Sequence, residues 1–218
     1  MAKPEILGSE RSSYTRVVRM VCEEKGIDYV LTDTPLGSPD LRAAHPFGKM
    51  PVLRHGDFTL CESKAIATYL DRAFGGPELI PCNPRLAAQV EQWISLVNTM
   101  IDPMLIRTYL FAYIVPKGAD GKPDRAAIEA MMPKVREQLA LLDQAVAAHG
   151  TLVGDRFTLA DVNLLPILFY VRRLPDTGEA FATGTHLGRY YDTHAARPSF
   201  VKTVPPLSPP RRAPAGTE

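Results

Sequence analysis

The 218 residues, 45% of them hydrophobic, suffice for a sizeable core without metals or disulfides. A balance of 25 Lys and Arg against 24 Asp and Glu leaves a net charge of +1, which argues against a nucleic-acid surface or a polybasic membrane face. Cys22, Cys61 and Cys82 form no CxxC pair, so they suggest neither a zinc site nor a redox dithiol and fit a reducing cytoplasm. No apolar run approaches the roughly 18 residues of a membrane span, and Met1-Ala2-Lys3-Pro4-Glu5 leads into a strand rather than a signal peptide.

Along the first 75 residues, strand and helix patterns alternate. Glu5-Ile6-Leu7 reads as a short strand ending at Gly8, followed by a hydroxyl-rich loop, Ser9 to Ser13. The spacing of Tyr14, Val17, Val18, Val21 and Cys22 predicts a helix from about Ser13 to Lys25, stopped by Gly26. Tyr29-Val30-Leu31 is a second strand, with turn residues after it. Val52 to Arg54 and Phe58 to Cys61 form a hairpin around His55-Gly56-Asp57, and Ala65, Ile66, Tyr69 and Leu70 mark a second helix. A β-α-β unit followed by β-β-α predicts a small α/β domain over 1–75. Breakers such as Gly75, Gly76, Pro77, Pro81 and Pro84 make 76–84 a linker.

From Arg85 the pattern is helical. Predicted helices cover Arg85 to Tyr113, with Pro103 as a kink or break, then Asp124 to His149, then Phe157 to Leu174, where Pro166 distorts the helix. An all-helical domain thus spans 85–203, and the proline-rich tail 204–218 is predicted to be disordered.

Four stretches carry chemistry or its imitation. Pro51, in Gly48-Lys49-Met50-Pro51-Val52-Leu53, either starts an edge strand in trans or, with a cis bond, turns the Met50 backbone outward to pair with an extended peptide. Glu62-Ser63 at a helix start either supplies Ser63 as an N-cap or holds a charged peptide end, the acid on an ammonium and the hydroxyl and helix amides on a carboxylate. Of Ser12 and Ser13, one caps the first helix and the other is free to donate into a pocket, where the helix's positive end would stabilise a thiolate. Phe157-Thr158-Leu159-Ala160-Asp161-Val162 is a capping box with a hydrophobic staple and reads as structural.

In this order and spacing these residues resemble the cytosolic glutathione S-transferase family: Arg11-Ser12-Ser13, His45-Pro46-Phe47-Gly48, Lys49-Met50-Pro51-Val52-Leu53, Glu62-Ser63-Lys64-Ala65-Ile66, the box Phe157 to Val162 and Arg197-Pro198-Ser199-Phe200. The resemblance runs from about Glu5 to Thr203 and is to the serine-type, theta-, phi- and zeta-like classes. It implies a thioredoxin-like N-terminal domain, an all-helical C-terminal domain and a homodimer. It further implies an enzyme that binds glutathione as co-substrate, with no metal, nucleic acid or membrane as partner, and transfers its thiolate to a small hydrophobic electrophile in detoxification. Ser12 would activate the thiol, with Ser13 as the alternative and Tyr14 third. Met50 would pair with the cysteinyl backbone, with Pro51 as the cis proline, and Glu62 and Ser63 would hold the γ-glutamyl end. The His-Lys pair that phi-like members use for the glycine carboxylate is Leu36-Gly37 here, so Lys49 is expected in that role, with Arg11 or His45 helping. Met104, Tyr109, Phe111 and Tyr113 are candidates for the electrophile wall. A glutathione-dependent isomerase or dehalogenase, or a non-catalytic scaffold keeping the fold, are the alternatives.

Overall fold

In the computed structural model, which describes residues 2–118 and 121–206, four short strands form one sheet in the order β2-β1-β3-β4. They are β1 (Glu5–Gly8), β2 (Val30–Asp33), β3 (Val52–His55) and β4 (Phe58–Cys61). β1 is parallel to β2 and antiparallel to β3, and β3 and β4 close as a hairpin. Successive side chains point to opposite faces, so Ile6 and Leu53 enter the main core with Val17, Val21, Ile66 and Leu70, whereas Leu7 and Val52 meet Leu41 in a smaller cluster. Val17 and Val21 come from α1 (Ser13–Lys25), Ile66 and Leu70 from α3 (Ser63–Ala73), and Leu41 from α2 (Pro39–Ala44). This is the expected thioredoxin-like half, with two differences. β2 starts one residue late and runs to Asp33, because as an exposed edge strand it carries no alternation to read. The six residues of α2, capped by Ser38 with Pro39 in the first turn, bury Leu41 alone and so leave no periodic stripe in the sequence.

The helical half follows: α4 (Pro84–Leu96), π-helical turns over Val97–Ile101 and Pro103–Leu110, α5 (Phe111–Ile114), α6 (Arg125–Ala145), α7 (Leu159–Val171), a 3-10 helix (Pro175–Phe181), α8 (His186–Ala195) and α9 (Pro198–Lys202). Residues 84–114 therefore remain one helical stretch across Pro103. The proline's missing N–H is accommodated by turns of i to i+5 period rather than by a break. Pro166 lies within α7 without ending it; burial on almost every side outweighs one lost backbone bond. The proline-rich tail lies, from residue 207 onward, outside the described residues.

α1 joins the two halves, packed against α3 on one side and α7 and α9 on the other. That position buries Arg16 completely. Its guanidinium stacks on Phe169 and Phe200, at 4.5 and 4.0 Å from the ring centroids, and donates to the Phe200 carbonyl at 3.1 Å and Thr203 Oγ1 at 3.3 Å. Burial lowers its pKa to about 10. At the far end of α1, Arg197 grips Glu24 with two hydrogen bonds of 2.8 and 2.7 Å, and Ser199 adds a third. The Arg197-Pro198-Ser199-Phe200 stretch thus locks the last helix to the first domain.

Candidate functional site

Three chain segments meet at one end of the sheet. The β1–β3 register pairs Leu7 with Val52, which sets Gly8 beside Pro51; the β3–β4 register pairs Val52 with Cys61, which sets Pro51 and Met50 alongside Glu62 and Ser63. Met50-Pro51 is a cis peptide, and Met50 packs half-buried with Cys61 on the Leu7–Val52 cluster. Gly8 ends β1 because any Cβ there would come within 2.5 Å of Thr15 Oγ1, so the serine loop can fold back directly over the strand end.

Ser12 is the N-cap of α1: its Oγ accepts from Thr15 N–H at 3.2 Å. None of the hydrogen bonds among the described residues uses its hydroxyl as a donor, and the group sits at a helix N-terminus. Ser13 is the first helical residue and is buried.

At α3 the arrangement differs from the capped start that Ser63 suggests. Glu62 occupies the cap position at φ 71°, ψ 114°, the one non-glycine residue of left-handed φ among those described, and Ser63 is already inside the helix and buried. No side chain caps this helix, and the first amides of a helix have no intrahelical partner. Backbone strain of this kind concentrates at functional sites, and an open helix start favours negative charge. The Glu62 carboxylate is exposed but steered: His45, buried, accepts the Phe47 N–H on Nδ1 at 3.0 Å and faces Glu62 Oε1 with Nε2 at 3.4 Å. With Nδ1 engaged as an acceptor, Nε2 is the ring nitrogen turned toward the acid. His45 thus lies against Glu62 rather than at the glycine end that the resemblance implies for it.

Lys49 is exposed at the mouth of this corner. Nearby, the Arg42 stem of α2 lies against Gly48, and its Nε donates to the Gly37 carbonyl at 2.7 Å. Arg42 thereby sets a second cation where the Leu36-Gly37 departure leaves none. The signal for it in the sequence was a lone exposed arginine in an unrecognised short helix.

The four residues expected in an electrophile wall separate into two groups. Tyr109, fully buried, donates to Asp176 Oδ2 at 3.2 Å, and Tyr113 joins the same carboxylate. Arg125 clamps Asp176 at 2.8 Å and, with the help of both tyrosine hydroxyls, keeps its pKa below the usual carboxylate range. Phe111, by contrast, is exposed and lies with Tyr14 beside the Arg107 guanidinium, 5.8 and 5.6 Å from the respective ring centroids. Met104 is half-buried against the core. Arg107 is held by buried Asp102 at 3.0 Å, five residues earlier, a spacing that faces across a π-helical turn and not across an α-helical one. Burial first, then the Asp102 carboxylate, raises the Tyr14 pKa, so Tyr14 stays a neutral phenol. Neither Asp102 nor Arg107 was singled out in the sequence, since their pairing depends on the widened turn.

An open groove of about 810 Å³ continues from Glu62 along α3 and β4, lined by Phe58, Leu60, Lys64, Tyr69 and Asn98. Among the described residues no three His, Cys, Asp or Glu side chains converge as a metal site, and no helix is long and apolar enough to cross a membrane.

The chain is similar to known proteins in sequence and fold. The family profiles for the glutathione S-transferase N-terminal domain and C-terminal domain match residues 7–78 and 103–198. Glutathione S-transferase 3 of Zea mays is 33% identical, covering 96% of this chain and 98% of the relative. The solved structure of glutathione S-transferase III in apo form has a TM-score of 0.82 at 31% identity, covering 96% of this chain and 100% of that one. Glutathione S-transferase-I bound with lactoylglutathione has a TM-score of 0.82 at 26% identity, covering 93% and 99%.

Proposed function

Because this chain belongs to the glutathione S-transferase family, we propose that it binds glutathione along the Met50–Glu62 corner and transfers its thiolate to a small hydrophobic electrophile. The observation that carries this reading is the open N-terminus of α3 beside the strained, histidine-steered Glu62. An α-amino acid end, with its adjacent ammonium and carboxylate, is complementary to that pair: Glu62 takes the ammonium, and the Ser63 hydroxyl with the free amides takes the carboxylate. The Met50 backbone then pairs with the cysteinyl residue, and Lys49 with Arg42 receives the glycine carboxylate.

Ser12 activates the thiol. A free thiol has a pKa near 8.5, and lowering it by about two units requires roughly 2.7 kcal/mol of preferential thiolate stabilisation. One hydroxyl donor to a charged acceptor contributes about 1.5–3 kcal/mol, and the α1 N-terminus adds about 0.3–1 kcal/mol. Together they suffice without a general base. With an activated aryl chloride, the thiolate sulfur bonds to the ring carbon, the C–Cl bond breaks and chloride leaves with the electron pair. Phe111, Tyr14 and the Arg107 stem line the electrophile's place, with Met104 behind; Tyr109 and Tyr113 frame it through Asp176.

The groove beside Glu62 and the exposed Phe47, Phe58 and Met100 support a homodimer packed on this face. The free thiols Cys22, Cys61 and Cys82 fit a cytoplasmic setting. Calorimetric titration with glutathione, followed by titration of the bound thiol and a rate assay with the aryl chloride, tests the reading. A bound-thiol pKa well below 8.5 with chloride release supports it; no binding, or binding without a pKa shift or turnover, overturns it.

A further inference from the structure

Tyr170, near the end of α7 in the helical domain, donates its hydroxyl to the Arg11 carbonyl at 2.7 Å across 159 residues of sequence. That carbonyl belongs to the peptide that delivers Ser12. Resting on the transferase reading above, we propose that Tyr170 is a positioning residue for thiolate formation, pinning the Arg11–Ser12 peptide so that the Ser12 hydroxyl keeps its aim.

The two ends of this contact differ in rigidity. The donor stands on α7, whose start is tied by Asp161 to Thr158 and to Leu152 N–H, and whose residues Leu159 to Phe169 are all buried. Its ring meets Phe169 edge-on, with centroids 5.1 Å apart at 83°. Burial raises the phenol's pKa, so it remains a donor throughout the neutral range. The acceptor lies in a short loop between β1 and α1, turned by Ser12 N–H on the Ser9 carbonyl at 3.0 Å. Ser12 holds an extended backbone, φ −75°, ψ 122°, to cap α1, and that conformation sets where its hydroxyl lies. The Tyr170 bond fixes the plane of the preceding peptide, and Arg16, one turn along α1, is seated against Phe169 and Phe200. Ser12 is therefore registered against the helical domain at two heights. The receptor for the amino-acid end of glutathione lies on α3 and owes nothing to this brace.

This separation makes the role testable in the full chain with Tyr170→Phe, which keeps the ring against Phe169, and Tyr170→Met as a second variant lacking the hydroxyl, each checked for a cooperative melt. Expected are a rise of about one unit in the pKa of bound glutathione and a fall of about tenfold in kcat near neutral pH, with KM for glutathione changed by less than about twofold. The deficit should vanish above the raised pKa, where the thiol ionises unaided. Adding Tyr170→Phe to Ser12→Ala should cost nothing further, since Tyr170 acts through Ser12. An unchanged bound-thiol pKa, a rate loss independent of pH, or full additivity with Ser12→Ala would each overturn the assignment. If the unmodified protein itself transfers no glutathione, the transferase reading fails first; if it turns over and both Tyr170 variants match it, only the positioning role is lost.

Discussion

The starts of α7 and α3 differ in how they treat the same problem of unpaired helix amides. At α7, Asp161 is spent inward: its carboxylate accepts from Thr158 N–H at 2.9 Å, Thr158 Oγ1 at 3.0 Å, Leu152 N–H at 2.9 Å and the Tyr190 hydroxyl at 3.1 Å. At α3, the acid is turned outward at φ 71° and the amides have no side-chain cap. Both are acids at helix starts, favourable beside the positive end of the dipole. What separates a fastener from a receptor is whether the folded chain itself satisfies the donors. The first start is closed by its own chain, and the second has no side-chain cap, which is what the proposed glutathione site uses.

The largest expected effect comes from breaking the fastener. Asp161→Ala leaves several buried donors unpaired, each worth about 1–3 kcal/mol, and should cost about 3–5 kcal/mol of stability, read as a lower urea midpoint. If the chain still folds at low temperature, its affinity for glutathione should be unchanged. Ser12→Ala comes next. It should lower turnover by about 10- to 150-fold, the equivalent of one charge-assisted hydrogen bond, with glutathione affinity nearly intact in calorimetry. A normal rate would move the role to Ser13.

The ion pair at the other end of α1 sharpens the contrast between fastening and receiving through pH. Burial alone would raise the Glu24 pKa, but the hydrogen bonds from Arg197 and Ser199 hold it below its ordinary 4.5. A carboxylate depressed in the folded state contributes stability above its unfolded pKa, and that contribution is lost as pH falls below about 4.5 and through the folded value. Arg197→Met should therefore cost about 1–2 kcal/mol at neutral pH, discounted for the partly exposed guanidinium, and its melting temperature should fall less steeply on acidification than that of the parent. A parallel acid profile would show that Glu24 is not the group responsible. The smallest effect has the opposite sign. Glu62→Gly relieves the left-handed φ and should add about 0.5–1 kcal/mol of stability while weakening glutathione binding about tenfold or more. A variant that binds normally would remove Glu62 from the receptor.

Much of the fold is legible along the chain because its signals are local. Ser12 and Gly26 bracket α1, and Gly26 N–H and Ile27 N–H close the helix on Glu23 and Cys22 carbonyls as a glycine stop does. The alternation in β1 and β3 and the breakers at 75–84 are equally local. Legibility ends where a residue's part depends on partners far away in sequence. The box at Thr158–Asp161 is readable, but its further bonds to Leu152 and Tyr190 are not. The pair Glu62-Ser63 is readable as a helix start, yet which residue caps, and that neither side chain does, is settled by how the hairpin turns into α3.

By itself, then, the amino-acid sequence determined the four strands, the helices at α1 and α3, the helical character of the second half and the family, because periodicity, turn chemistry and capping act over a few residues. Only the tertiary structure decided that His45 steers Glu62, that a π-helical turn matches Asp102 to Arg107, and that Tyr109 and Tyr113 join Asp176 while Phe111 joins Tyr14. It likewise decided that Tyr170 reaches the serine loop. Those outcomes depend on the direction in which side chains converge after packing, and convergence has no signature in linear spacing.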